Sequence, residues 1–259
     1  MSSRIESRIP CTILQWFPSA SIQLKPFLWM LLLFIMVLLP FGTIRAQSYQ
    51  QLRNNMVRTQ ILNRGINHEP TLNAMRSVER HLFVPESQRR RAYDDGPLPI
   101  GYGQTISQPY IVAFMTSIID PKPEHKILEI GSGSGYQAAV LAEITDKVFT
   151  IEIVPELGLQ SRRLLKNLDY DNIVVRIGDG FYGWEEHAPF DAIVVTAAAE
   201  FIPPPLLAQL KDGGKMIIPV GSPFNVQTLI LVEKMEDKIT TRNLMPVRFV
   251  PFTRSSNHQ

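Results

Sequence analysis

Cysteine is almost missing from this chain of 259 residues: the single one is Cys11, close to the N-terminus. Everything beyond position 46 therefore holds no disulfide, no thiolate zinc site and no cysteine nucleophile. An excess of one charge is missing too. Of 26 basic and 24 acidic residues, Arg4, Arg8, Lys25 and Arg45 with Glu6 fall in 1–46, which leaves 22 basic against 23 acidic in the rest. A nearly neutral body lacks the basic footprint of a general nucleic-acid binder, so no nucleic-acid partner is expected. There are no internal repeats or low-complexity tracts. The 45% hydrophobic and 19% charged composition excludes a disordered or collagen-like chain. His68, His81, His125, His187 and His258 are scattered, with no pair at metal-ligand spacing, so no metal is expected.

Long apolar runs are scarce as well; the one that stands out is Phe27–Leu39, 13 residues ended by Pro40. Behind Arg4, Arg8 and Lys25, and ahead of the small residue Ala46, it reads as a secretory signal core. Extended to Ile44 it reaches 18 residues, marginal for a membrane span. A third reading starts the protein later and discards part of the leader. Residues 1–46 are thus a leader, signal or anchor outside the fold, with membrane contact confined to 27–44. The body divides into 47–107, N-terminal helices and a loop, and 108–259, a ligand-binding core, with a monomer expected.

Periodicity predicts helices over 47–64, with Leu52, Met56, Ile61 and Leu62 on one face and Gly65 as the stop, and over 69–80, with Leu72, Met75 and Val78 inward. Residues 81–107 read as one long irregular stretch of the kind that more often has a function than not. Arg89–Arg91 within it read as solvated surface. Thereafter strands and helices alternate: strands at 126–130, 148–153, 173–177, 190–196 and 215–220, helices at 108–119, 136–144, 155–168 and 205–210, then a closing pair of strands at 228–232 and 239–250. This alternation predicts an α/β, doubly wound, mostly parallel sheet.

Three features gather at the carboxyl ends of successive strands, where ligands of such sheets sit. Gly131, Gly133 and Gly135 let the backbone approach a ligand, with Glu129 just ahead of them. Glu152, at the end of the next strand, suits a ribose diol. Asp179-Gly180, after the third, suits an adenine amino group. A dinucleotide fingerprint needs Gly or Ala at 136, where tyrosine stands. A negative Glu129 would repel a pyrophosphate but suit S-adenosylmethionine, which carries an ammonium and a sulfonium.

The stretch Pro97–Tyr110, PLPIGYGQTISQPY, closely resembles the loop ahead of the methyltransferase fold in protein-L-isoaspartate O-methyltransferases. The likeness continues through LEIGSGSGYQAAVLA, GDG, APFDAIVVTAA and VRFVPFT, roughly Met56 to Thr253. It implies a seven-stranded, Rossmann-like class I methyltransferase with S-adenosylmethionine as methyl donor. It also implies L-isoaspartyl or D-aspartyl residues of damaged proteins as substrate. By position it implies Ser107 as the active-site residue, which also touches cofactor. Gln104, Thr105, Ile106 and Ile111 fall where the loop closes over the cofactor, and Ser134 on a contact in the glycine loop. It implies Glu152 as the ribose acid, Asp179-Gly180 as the adenine contact and Thr253 as a late contact.

The isoaspartyl α-carboxylate, with a reference pKa of about 3.3–3.7, needs no general base, in keeping with the lack of a His–Asp pair in the sequence pattern. Ser107 could instead cap the helix after it. Trp184 reads as core or rim, and Arg248 as exposed strand rather than a group facing a substrate carboxylate. A small-molecule or RNA methyltransferase and a non-catalytic binding module are the alternatives. Because the methyl donor is a cytosolic metabolite, the catalytic domain is expected in the cytoplasm; the leader keeps export or anchoring as the alternative.

Overall fold

The computed structural model describes residues 49–255, so the leader and its apolar run lie outside the described residues. Among the described residues no helix is long and apolar enough to cross a membrane. Helix α1 (49–56) passes into a π turn, Val57–Ile61, and a 3-10 turn, Leu62–Arg64. Arg53, Met56, Val57 and Ile61 form the buried face at helical spacing, while Leu52 and Leu62, expected beside Met56 and Ile61, are 44% and 41% exposed. Gly65, at φ 90°, ends this segment as the sequence predicts. Helix α2 (Glu69–Ser77) buries Leu72 and Met75 and stops short of Arg80, because Val78 turns to extended backbone.

Residues 81–107 are less irregular than expected. Two 3-10 turns, Arg80–Phe83 and Glu86–Arg91, lead into an antiparallel hairpin of β1 (Leu98–Gly101) and β2 (Gln104–Ile106). Its turn puts Tyr102 at φ 53° between Gly101 and Gly103, both also at positive φ. Strands of four and three residues, one interrupted by Pro99, are too short to show an alternation. Arg89–Arg91 are exposed, and Arg91 pairs with Asp94 at 3.3 Å.

Helix α3 (Pro109–Ile119) then leads into the regular part: β3 (Lys126–Ile130), α4 (Tyr136–Ala142), β4 (Lys147–Glu152), α5 (Pro155–Asn167), β5 (Ile173–Ile177), β6 (Phe190–Val195), α6 (Pro204–Gln209), β7 (Leu210–Val220), β8 (Gln227–Met235) and β9 (Lys238–Val247). The seven strands β3–β9 form one sheet in the order β5-β4-β3-β6-β7-β8-β9. Pairing is parallel from β5 through β7 and antiparallel from β7 through β9. Strand β7 begins at Leu210 rather than Lys215; its register against β6 breaks between Phe190 and Ala192.

Near-continuous apolar strands such as KILEI and FDAIVV belong in a sheet covered on both faces. Leu128 and Ile130 pack with Ile193 and Val195 on one face, Ile127 with Val148 and Val194 on the other. Helix α2 does not stand apart: Leu72 and Met75 share a core with Tyr136 of α4 and Leu165 of α5. The strand order reverses between β3 and β6, which opens a crevice at their carboxyl ends.

Candidate active site

The floor of that crevice is the turn from β3 into α4. Gly131 sits at φ 95°, and a Cβ built there would stand 2.5 Å from Thr196 Oγ1. That hydroxyl donates to the carbonyls of Ile130 (2.9 Å) and Gly131 (2.7 Å), so it fastens the end of β6 to the glycine turn. Only glycine meets both demands. Ser134 Oγ accepts from the Tyr136 N–H at 3.3 Å and supports the start of α4.

Glu129 is fully buried on β3. Thr150 Oγ1 donates to its Oε2, while Oε1 meets no hydrogen-bond partner among the described residues. Burial pushes its carboxyl up to about 8; the neighbouring Glu152 adds to the rise, and Thr150 opposes it. Without a cation beside it burial favours the neutral acid; a cation meeting Oε1 would restore the charged carboxylate, which accepts from it. Glu152, at the end of β4, is held differently. Its Oε2 accepts from Gly133 N–H (2.7 Å) and its Oε1 from Val154 N–H (2.9 Å). Each oxygen keeps acceptor capacity for a diol.

Asp179 follows β5. Burial alone would raise its pKa, but hydrogen bonds from Arg254 and from the Phe181 and Ser255 amides outweigh it and hold the carboxyl below its usual range. Arg254 Nε reaches Oδ2 at 2.9 Å and the guanidinium lies 3.6 Å from the centre of the Phe181 ring. The Gly180 backbone lines the pocket, whereas the Asp179 carboxylate is taken by this C-terminal clasp. The sequence signal for an adenine acceptor thus falls on a group that also anchors the tail.

The roof comes from two sides. Gln104, Thr105, Ile106 and Ser107 of the hairpin line the pocket opposite Glu129, Gly131, Gly133, Ser134 and Glu152. Val250–Thr253 close it from the C-terminus, pinned where Ala198 N–H donates to the Val250 carbonyl (2.8 Å) and Phe252 N–H to that of Ala198 (2.9 Å). Ile111 lies elsewhere, lining an adjoining cavity, and Val112 takes the place expected of it: on a helix entered at Pro109 the two face different sides. Thr196 and the Val250–Phe252 wall were not foreseen. The position of Thr196 just past β6, next to the order reversal, was a signal that could have found it.

Ser107 borders both cavities, and its hydroxyl makes no hydrogen bond among the described residues. The N-cap position of α3 is Gln108, without a side-chain cap, so Ser107 does not serve there. His68 does meet Asp120, at 3.1 Å, but neither lines the pocket. Trp184 is half-buried against Phe149 and Arg176. Among the described residues no cluster of His, Cys, Asp and Glu could hold a metal.

A buried carboxylate lacking a donor, a glycine cradle that side chains would fill and a backbone-braced carboxylate one strand away together fit a ligand with an ammonium and a ribose diol, as in S-adenosylmethionine. With the doubly wound seven-stranded sheet, they define the Rossmann-like class I methyltransferases. Within that class, residues 50–257 match the family model of protein-L-isoaspartate(D-aspartate) O-methyltransferase, and the chain belongs to that family. It is 56% identical over 222 residues to a protein-L-isoaspartate O-methyltransferase of Opitutus terrae, covering 84% of this chain and 95% of that one. A Polaromonas relative of the same name is 60% identical over 186 residues, covering 71% and 88%. The fold is similar to a Plasmodium falciparum protein-L-isoaspartate O-methyltransferase in complex with S-adenosyl-L-homocysteine: TM-score 0.69, 27% identity, 78% of this chain and 99% of that one.

Proposed function

We propose that this enzyme is a protein repair methyltransferase acting on the α-carboxyl of L-isoaspartyl, and D-aspartyl, residues in damaged proteins. The observation that carries the reading is Ser107, an unengaged hydroxyl on the wall common to the cofactor pocket and an adjoining cavity. When bound, S-adenosylmethionine supplies an electrophilic methyl group. Glu129 Oε1 would accept from its ammonium, Glu152 would hold the ribose hydroxyls, and the Gly131–Ser134 backbone would cradle it. Gln104, Thr105 and Ile106 would exclude water, and Gly180 and Thr253 would bind the adenine. Ile111 contributes from the substrate side.

The acceptor carboxylate, with a reference pKa of about 3.3–3.7, arrives ionised, so no side chain needs to remove a proton. The protein's task is to hold one carboxylate oxygen at a near-attack distance of about 3–3.5 Å. Ser107 donates a hydrogen bond that orients that group. It forms no covalent bond, and a strong bond to the attacking oxygen would blunt it. The methyl ester leaves, and its closure to a succinimide proceeds without the protein. The body works as a monomer on the cytoplasmic side, where the methyl donor is made.

The test is transfer of labelled methyl groups to two peptides that differ only in aspartyl against isoaspartyl linkage. Base-labile label on the isoaspartyl peptide alone is expected. Equal labelling of both, or cofactor binding with transfer to neither, defeats the assignment. Ser107→Ala should lower kcat/KM for the isoaspartyl peptide roughly 10–100-fold, the worth of a hydrogen bond to a charged group, while calorimetry finds cofactor affinity little changed.

A further inference from the structure

Beside the cofactor pocket lies a second cavity of about 490 Å3, large enough for a small ligand or a few side chains. The two share Thr105, Ser107, Thr196 and Val250 as a common wall. Among the described residues, the charged ones that line the second cavity are Arg64 and Arg248, and none is acidic. Their situations differ. The Arg64 guanidinium lies 3.5 Å from the centre of the Tyr110 ring and pairs with Asp95 at 3.3 Å, so much of its charge is already answered. Arg248 is exposed and has no ion pair among the described residues. Strand β9 ends at Val247, which leaves Arg248 past the last ladder bond rather than on a strand face. Gln227 pairs with Val247, so apolar surface stands beside Arg248: Val226, which lines the cavity, is 52% exposed, and Phe224 in the same loop is 90% exposed.

We propose that this cavity receives the polypeptide around the damaged residue and that Arg248 selects substrates carrying a second carboxylate close to the isoaspartate. Such a group is supplied by a flanking Asp or Glu or by the C-terminus of the substrate chain. The inference rests on the isoaspartyl reading of the adjoining pocket. An unanswered guanidinium at the edge of an apolar cleft attracts a carboxylate, and a planar fork holds it in two directions. Arg64, paired with Asp95 and held over Tyr110, does not compete for the ligand. Sequences rich in acidic side chains would then be repaired ahead of neutral ones.

The experiment uses the full chain and isoaspartyl peptides that differ at one flanking position, Glu against Gln, on either side, each with a free or an amidated C-terminus. KM for the Glu peptide should be lower by roughly threefold to fivefold, the factor an exposed ion pair supplies, and the gap should shrink with added salt. R248Q should bring the ratio near one, R248K should keep most of it, and R248E should turn the preference towards a Lys-bearing peptide. Cofactor affinity measured by calorimetry on the same variants checks that each is folded. If the free C-terminus alone carries the preference, the chain terminus is the source; if the Glu side chain does, acidic sequence is. A wild-type ratio of one, or a preference that survives in R248Q, overturns the role of Arg248 and leaves the repair reading standing. Failure to methylate any isoaspartyl peptide overturns both.

Discussion

The floor and the roof of the pocket are built by different means. Glu129, Gly131 and Glu152 sit at the ends of parallel strands, with Glu129 at 0% and Glu152 at 5% exposure; Glu129 is bonded to Thr150, Glu152 to two backbone amides and Gly131 to Thr196. The roof is a short hairpin and a C-terminal segment whose bonds to the body include two backbone bonds at Ala198 and, at its outer end, those of Arg254 and Ser255 to Asp179. A floor held by the sheet cannot adapt without disturbing the core. A roof held by a few local bonds can part to admit a cofactor and a polypeptide. The proposed function then places most of the cofactor's polar recognition on the floor and the access of substrate at the roof.

The sharpest way to probe the floor is Glu129. Its carboxyl titrates near 8 in the ligand-free fold against an ordinary value of 4.5. The folded state therefore binds more protons than the unfolded state between those two values. Stability is fully present below about 4.5 and is lost as pH rises through about 8, with a slope approaching about 1.4 kcal/mol per pH unit. Glu129→Gln keeps the shape and removes the titration. Chemical denaturation of the ligand-free proteins should find the variant gaining on the parent by several kcal/mol across that window, while its cofactor binding is lost. Parallel pH profiles for the two proteins would mean that Glu129 is ionised in the free fold.

Gly131→Ala comes next in size. The new methyl group meets Thr196 Oγ1 in a backbone conformation that L side chains rarely adopt. Relief requires breaking one of the Thr196 bonds to Ile130 or Gly131, a cost of about 2–3 kcal/mol with the strain of the positive φ. Thermal unfolding and calorimetry should find a destabilised protein whose cofactor affinity falls by about two orders of magnitude, the binding equivalent of that energy. Thr196→Ala in the same background removes the clashing atom, leaving Thr196 Cβ at 3.8 Å as the next side-chain contact, and should restore part of the stability. If it restores none, the clash is not the cause.

How much of this the sequence exposed follows from the same contrast. The floor is made of long apolar strands, a glycine turn and acids at strand ends, all features with a fixed spacing along the chain. Hence the doubly wound sheet and the positions of Gly131 and Glu152 were legible before any coordinates. The protonation of Glu129 was not, because it depends on what surrounds the carboxyl in space rather than on its neighbours in sequence. The roof was mostly hidden. Strands β1 and β2 are shorter than any periodicity, and the first helix buries Arg53 beside Met56 and Val57, a charged residue that a count of apolar positions passes over in favour of Leu52. The pairing of Asp179 with Arg254 joins residues far apart in sequence, with nothing in either to announce the other.

Arg254 gives the smallest and most discriminating test of the roof. Its ion pair with Asp179 is 40% exposed on the arginine side and 6% on the aspartate side, so water weakens it and its worth is about 1 kcal/mol. Arg254→Ala removes that bond and the contact with Phe181 but leaves the Phe181 and Ser255 amides on the carboxylate. The segment that follows Val250 then loses its outer anchor and keeps the inner one at Ala198. Cofactor affinity should weaken by about fivefold, the equivalent of that energy, with faster dissociation in stopped-flow as the main cause and little change in thermal stability. The sign decides what the clasp is for. Weaker binding makes it a fastener that holds Thr253 and Phe252 against the bound cofactor. Tighter binding would mean that Arg254 competes with adenine for Asp179, and the roof would then be a bar to entry rather than a lid.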